Sequence, residues 1–354
     1  MRKFKMIFAL TAIVAVGTGL LLCREEVTQT VGNGLSVCGE ILIPSLFPFM
    51  VLSSFALASG VFTKMGRRFS FVMNKLFRLP GVCFSAVFFG FIGGYPVGAR
   101  IIAELYESGY ITQEQSRRLF AFCVNAGPAF IVTAAGGMMI GSQKAGYVML
   151  ASTVFSSVIV GIIYSRFSQN EIHEPGSSLT GFPGFSDALT SSVVSSTSGM
   201  LSVCAWVLVF SALSGLIRPL IHNETIDLIF DALSEVTSGV PAAVQTGGIP
   251  FAAAAISFGG ICVMCQLIPS MRKCGIKLYE HIIFRIINGA LSYLITWTIL
   301  QFVDVPVSAG AFHAVTLWSY SAPSAAALLM MCAVLILEMS DKRYAAKNKF
   351  SKST

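Results

Sequence analysis

Long apolar stretches separated by short charged segments dominate this chain. Nine stretches contain no Asp, Glu, Lys or Arg: 6–23, 41–63, 79–99, 119–143, 145–165, 188–217, 236–271, 286–303 and 305–337. The shortest has 18 residues and the longest 36. A helix rises 1.5 Å per residue, so each can reach across a hydrocarbon core of about 30 Å. The pattern predicts an all-α polytopic membrane protein. A transmembrane barrel is excluded, because its strands read as segments of about ten residues with alternating polarity. Composition agrees: 55% of residues are hydrophobic, 12% are charged and the mean hydropathy is +0.75. A soluble domain carries about twice that share of charge.

Basic residues order the crossings, because Lys and Arg gather on the cytoplasmic side. Arg2, Lys3 and Lys5 place the N-terminus inside. No small-residue cleavage site follows the stretch 6–22, and Leu22 is too bulky to precede a lipidated cysteine. Residues 1–24 therefore read as an uncleaved first crossing. Arg24, Glu25, Glu26 and Glu40 fall outside, partly on an interfacial helix, and 45–62 returns. Lys64, Arg67, Arg68, Lys75 and Arg78 mark the inside. The stretch 79–99 is long enough to cross, yet Arg100, Arg117 and Arg118 follow it. A re-entrant hairpin that enters and leaves on the inside removes the conflict. Its tip falls at Gly93-Gly94-Tyr95-Pro96-Val97-Gly98, a sequence poor at staying helical. Thr112 to Gln115 reads as a capping box. The helix it starts crosses outward through 119–143, interrupted at Asn125-Ala126-Gly127-Pro128, and 145–165 returns to a linker rich in Pro, Gly and Ser, 166–187.

The second half repeats this plan with opposite orientation. The stretch 188–217 goes out, and 226–247 forms a second hairpin, opened from outside, with its tip at Ser238-Gly239-Val240-Pro241. Residues 249–267 return with an interruption at Ser257-Phe258-Gly259-Gly260; 280–303 goes out and 316–338 returns to a basic tail. On this layout 20 basic residues lie inside and three, Arg24, Lys144 and Arg218, lie outside. The chain divides into a first crossing, 1–24, a first repeat, 25–165, the linker 166–187, a second, inverted repeat, 188–303, a last crossing, 304–340, and the tail 341–354. Short matches recur in the same order. Phe55 to Gly60 resembles Phe210 to Gly215, Gly94-Tyr95-Pro96 resembles Gly239-Val240-Pro241, and Asn125-Ala126-Gly127 stands where Phe258-Gly259-Gly260 stands. Backbone groups freed at a break must face protein or a water-filled cavity. Two hairpin tips and two broken helices at the midplane make a site for a small solute, the arrangement of secondary transporters.

Three segments, Ile43 to Phe49, Phe91 to Arg100 and Phe122 to Ile131, resemble the YlbJ (SpoVV) family of sporulation integral membrane proteins. The likeness covers about 30–338 and is strongest in the first half. That family belongs to the nucleoside-recognition, or Gate, group related to concentrative nucleoside transporters. The resemblance implies movement of dipicolinic acid from the mother cell across the outer forespore membrane. By analogy with nucleoside transporters it also implies a homotrimer. No prosthetic group is implied. Family members often have Asn-Asn before the Gly-Pro step, where this chain has Val124-Asn125 and so one amide.

Dipicolinate is a small aromatic dianion, so its site wants positive potential, amide donors and a flat apolar wall. The candidate substrate-binding residues are Gly93, Gly94, Tyr95 and Pro96 at the first tip and Ser238, Gly239 and Pro241 at the second. Asn125, Gly127, Gly259 and Gly260 join them at the breaks, with Asn288 and the cations Arg100 and Arg285. Arg100 either serves the site or snorkels to the interface. Arg285, a charge inside an apolar helix, is functional by default, or pairs with Glu280. Glu235 is the coupling-ion candidate, while Asp227 and Asp231 read as a wet face. Gln245 and Gln266 line the cavity or bridge helices. Enzyme chemistry finds no support. His173, His222, His281 and His313 form no H-E-x-x-H, and no G-x-S-x-G, phosphate loop or G-x-G-x-x-G occurs. Cys262 and Cys265 make a lone C-x-x-C without the partners a metal site needs. The net charge of +7 follows topology rather than nucleic-acid binding. Transport of a nucleoside or other metabolite, and a membrane scaffold in sporulation, are the competing readings. The topology predicts that Glu107→Cys and His222→Cys react with an impermeant thiol reagent from opposite faces; reaction of both from one face overturns it.

Overall fold

The computed structural model describes residues 2–59, 66, 68–167 and 184–305. The last crossing and basic tail, most of the linker, and Gly60, Lys64 and Arg67 lie outside the described residues. Among the described residues the fold is helical and without strands. Five helices are long and apolar enough to cross a membrane, six if one bent pair counts as a span.

Arg2–Leu22 (α1) is followed by Arg24–Val37 (α2), which runs through a π turn, Cys38–Leu42, into Ile43–Ala58 (α3). The segment 24–40 is thus the start of a 35-residue run, Arg24–Ala58, rather than a separate interfacial helix. Pro44 cannot donate to the carbonyl four residues back, and the wider π spacing falls where that bond is missing. This run lies antiparallel to Phe185–Ile217 (α10). Gly34 faces Ser211 and Gly215 faces Val27 at one end. At the other, Ser54 and Ser196 hydroxyls are 3.2 Å apart and the Phe55 and Phe185 rings 5.2 Å. Small residues let membrane helices approach this closely.

The first hairpin is present and its turn is tighter than the sequence suggests. Ser70–Phe77 (α4) and Gly81–Ile92 meet at 92°. Phe84–Ile92 (α5) then folds back on Tyr95–Glu107 (α6). Only Gly93 and Gly94 leave the helix, and Gly94 has φ +86°, which favours glycine. Tyr95 to Gly98 form the first turn of α6. Pro96 fits there because early helical N–H groups have no partner inside the helix. Gln113–Phe122 (α7) starts at the expected capping box: Gln115 N–H donates to the Thr112 hydroxyl at 3.2 Å and Thr112 N–H to Gln115 Oε1 at 2.9 Å. The helix breaks after Phe122 and resumes as Ala129–Met139 (α8), of π geometry, before Gln143–Phe167 (α9).

The second hairpin turns at a different place from the one expected. Glu224–Ser234 (α11) and Val236–Phe258 (α12) are separated by Glu235 alone, in extended backbone with φ −150° and ψ 137°. Ser238, Gly239 and Pro241 therefore lie inside α12. The carboxylate moves the turn: Glu235 caps α12 by accepting from the N–H groups of Thr237 at 2.7 Å and Ser238 at 3.1 Å. Non-helical Gly247 and Gly248 then kink α12, dividing the hairpin arm from the returning helix. That helix breaks at Gly259, φ +88°, before Gly260–Lys273 (α13), and Leu278–Leu300 (α14) follows. Both halves thus run long helix, hairpin, broken helix, long helix.

Polar contacts sort the segment ends. Lys273 pairs with Glu107 at 2.9 Å, Arg117 with Glu280 at 3.4 Å, and the Ser165 hydroxyl donates to the Leu76 carbonyl at 3.1 Å. Lys144 donates to the Asp304 carbonyl at 2.5 Å at the far end of α9 and α14. These two helices are antiparallel, with Tyr164 and Phe284 rings 4.7 Å apart. Phe258 lies by Arg285, Ala254 by Gly289 and Phe251 by Tyr293, so the Gly247–Gly248 kink points to the Asp304 end. The first hairpin opens at the opposite end, beside Lys273. The two hairpins enter from opposite ends and their tips meet. At the second hairpin's open end Arg218 pairs with Asp227 at 3.4 Å and with Asp231. Asp231 is buried, so that acidic face is not the wet surface the sequence suggests.

The Cys123 carbonyl at the first break nests between Gly90 and Gly98, where a Cβ on either would meet it, at 2.7 Å for Gly98. Gly32 on α2 has no heavy atom within 4 Å of its would-be Cβ. We expect Gly90→Ala to destabilise the protein by about 1–3 kcal/mol, the usual cost of overpacking. Gly32→Ala should be neutral or stabilising, with thermal unfolding in detergent as the measurement.

Candidate functional site

A helix leaves its last four carbonyls without internal partners. These ends are buried, and the fold brings donors to them. At the second break, the Ala255 carbonyl takes Gly259 N–H at 2.8 Å. The Ile256 carbonyl accepts from the Tyr95 hydroxyl, that of Ser257 from Arg285 Nη2, and that of Phe258 from Arg285 Nε at 3.3 Å. At the first break, the Phe122 carbonyl accepts from Asn125 Nδ2 at 2.6 Å and that of Ala121 from Asn288 Nδ2 at 2.9 Å. The Val124 carbonyl takes Arg285 Nη1 at 2.5 Å. The Ser157 hydroxyl donates to Asn125 Oδ1 at 2.8 Å and bridges to Asn288 Oδ1 at 3.4 Å.

Arg285 therefore joins both breaks. It is 1% exposed, and among the described residues no carboxylate pairs with it; Glu280 goes to Arg117 instead. Burying an unpaired charge costs several kcal/mol. Here the negative ends of two half-helices supply the opposing potential. The guanidinium carbon also lies 5.6 Å from the Tyr95 ring centre, within cation–π range.

On the other side of Tyr95 lies a small, partly open cavity of about 40 Å³. The two tips, Gly94 to Pro96 and Glu235 to Thr237, border it with Ala126 and Gly127 of the first break. Val203 and Val207 of α10 and Gln266 of α13 complete much of the wall. The helices α6, α8 and α12 begin at or beside this space, so three N-terminal ends with partial positive charge surround it. Among the described residues Glu235 is the one carboxylate on the lining.

Of the residues singled out by sequence, Gly94, Tyr95, Pro96, Gly127, Glu235 and Gln266 line this cavity. Asn125, Asn288 and Arg285 stand behind it and hold the breaks. Gly259 comes against the Tyr95 ring, where a Cβ would lie 3.3 Å away, and Gly260 packs on Ser234 and Glu235. Gly93 makes the turn against Val97. Arg100 is not brought to this space; it pairs with Glu104 at 2.8 Å one helical turn away. Ser238 is exposed, Gly239 packs on Ala232 of α11, and Pro241 is not on the lining. Gln245 is exposed and neither lines the cavity nor bridges helices. Sequence reasoning missed Val203, Val207 and Phe130 on the wall, because apolar side chains inside apolar runs carry no distinguishing signal.

Residues 40–165 match the family described as Gate, nucleoside recognition. The matched segment spans α3, the first hairpin, the first broken helix and most of α9. The chain is also similar to the sporulation integral membrane protein YlbJ of Bacillus subtilis (strain 168), 25% identical over 226 residues. The match covers 58% of this chain and 54% of that protein, so the chain spans about half the length of the curated relative it matches. No solved structure matches. The resemblance to the YlbJ family read from the sequence stands, and the chain is an integral membrane protein. In the matched segment, Val124 and Asn125 supply the contacts by which Arg285 holds the two halves together.

Arg285→Met strands three carbonyls and should lower stability by about 1–3 kcal/mol for each one left without a donor. Arg285→Lys keeps the charge without the planar fork and should fall between. Unchanged thermal unfolding of Arg285→Met would overturn the clamp.

Proposed function

We propose that the chain is a secondary-transporter-like protein that moves a small organic anion by alternating access. One observation carries this reading: two hairpins entering from opposite ends bring their tips to one cavity beside a broken helix. A rigid scaffold has no use for half-helix N-termini around an empty space, whereas a solute site does. The matching element order of the halves and the opposed hairpins support an inverted repeat. Similarity to a sporulation integral membrane protein supports a role in sporulation. The family resemblance in the sequence favours the outer forespore membrane and dipicolinate as the substrate, and the basic residues favour cytoplasmic termini. The family description, nucleoside recognition, favours a nucleoside as the second candidate.

The chemistry of the cavity suits an anion that travels with a proton or cation. Helix N-termini attract negative charge, yet Glu235 shares the space. Two like charges in an apolar cavity repel strongly, so the solute enters favourably when Glu235 is neutralised. This makes Glu235 the coupling group.

Proteoliposomes test both points. Saturable uptake of dipicolinate is expected, and Val203→Trp, which fills the cavity from α10, should reduce it at least tenfold while the protein stays folded. Glu235→Gln keeps the shape of the cap and should leave exchange intact while abolishing accumulation driven by a pH or sodium gradient. Uptake of uridine and not dipicolinate would select the nucleoside reading. Refusal of both would remove the transport reading.

A further inference from the structure

A second small cavity, about 40 Å³, lies between α3, α6 and α10, and Arg100 borders it with Ser53, Ser54 and Gly199. Pro96 borders both cavities. Lining positions continue from one to the other at helical spacing. On α10, Val207 and Val203 face the tip cavity and Gly199, four residues on, faces the second. On α3, Leu46 faces the first and Met50, again four residues on, faces the second. Residues spaced by four share one helix face, so the linings of the two cavities lie along common faces of these helices. Beyond the second cavity α6 continues towards Glu107, which pairs with Lys273.

We propose that these cavities are two parts of one path, by which a small organic anion reaches the tips from the Glu107 end, with Arg100 as the cation on its wall and Met50 as the side chain that closes it. This rests on the transport reading above and adds the route and its gate. Met50 is buried, and its terminal methyl lies 2.7 Å from where a Cβ on Gly199 would stand. The side chain thus spans from α3 to the α10 backbone at a position without a side chain of its own. Methionine is unbranched and can swing aside without moving either helix. Arg100 donates to Glu104 through Nε at 2.8 Å and is partly exposed. A guanidinium has five N–H donors, so it can receive a carboxylate of the passing solute in addition. The Ser53 and Ser54 hydroxyls add polar points to the same wall.

The test needs no substrate. Val207→Cys places a thiol in the tip cavity and Ser53→Cys one in the second. Each is exposed, in sealed proteoliposomes and from one face at a time, to the anionic reagent 2-sulfonatoethyl methanethiosulfonate and to its cationic trimethylammonium counterpart. The unsubstituted chain gives the background from its own cysteines. Val207→Cys should react from the face bearing Glu107. Met50→Trp should slow that reaction at least tenfold while Ser53→Cys still reacts, which shows that the second cavity is intact. Arg100→Gln should lower the anionic-to-cationic rate ratio at Val207→Cys about fivefold or more. Reaction at Val207→Cys that ignores Met50→Trp, or that occurs only from the opposite face, overturns the path. Gated labelling without uptake of any solute leaves the path standing and removes transport; uptake with ungated labelling does the reverse.

Discussion

A helix that breaks inside an apolar interior exposes carbonyls that cannot be left without donors, and this constraint organises the protein. A lost partner for a buried polar group costs about 1–3 kcal/mol. Two breaks at one level therefore demand a dense set of donors. Arg285 reaches Val124 at one break and Ser257 and Phe258 at the other, while Tyr95 takes Ile256. The donors come from elements remote in sequence: α14 and the tip of the first hairpin. Satisfying the breaks is thus the same event as docking the two halves. The side chain that carries the charge becomes a structural key, which explains why a cation is tolerated at a position 1% exposed without an acidic partner among the described residues.

The cavity follows from that arrangement. With the carbonyl ends of the broken helices turned to Arg285, the N-terminal ends of α6, α8 and α12 are left around the opposite space. The fold separates its backbone dipoles into a negative group neutralised internally and a positive group facing the cavity. Glu235 occupies one of the positive ends, giving α12 its cap and, among the described residues, the cavity its only carboxylate. The walls between are aliphatic, so fixed charge is scarce and each charged group acts at low screening.

Much of the fold was legible because lipid imposes strict rules on sequence. Among the described residues, the Thr112 capping box and the interruptions at 125–128 and 257–260 appear where the residues indicate. The turn positions were less legible. Gly and Pro at 238–241 suggest a tip, but an extended Glu235 whose carboxylate caps the next helix turns the chain first. Proline within a helix and proline at a turn look alike in sequence when neighbouring backbone can adjust. The site divided the same way. Tyr95, Gly127 and Glu235 carry recognisable polar or conformational signals and do line the cavity, whereas Val203 and Val207 are indistinguishable from other apolar wall residues.

The role of a charge depended most on the third dimension. In sequence Arg100 follows a hairpin tip and Arg285 stands inside an apolar helix, and both read as candidate cations for the site. The tertiary structure gives Arg100 to Glu104 and a second cavity, and Arg285 to backbone carbonyls from both halves. By itself the sequence determined that the chain lives in a bilayer as helices and where those helices break, because hydrophobic length and local backbone chemistry act over neighbouring residues. Only the tertiary structure decided which break meets which donor and which helix ends face the empty space, because those partners lie some 160 residues apart and are chosen by packing rather than by local propensity.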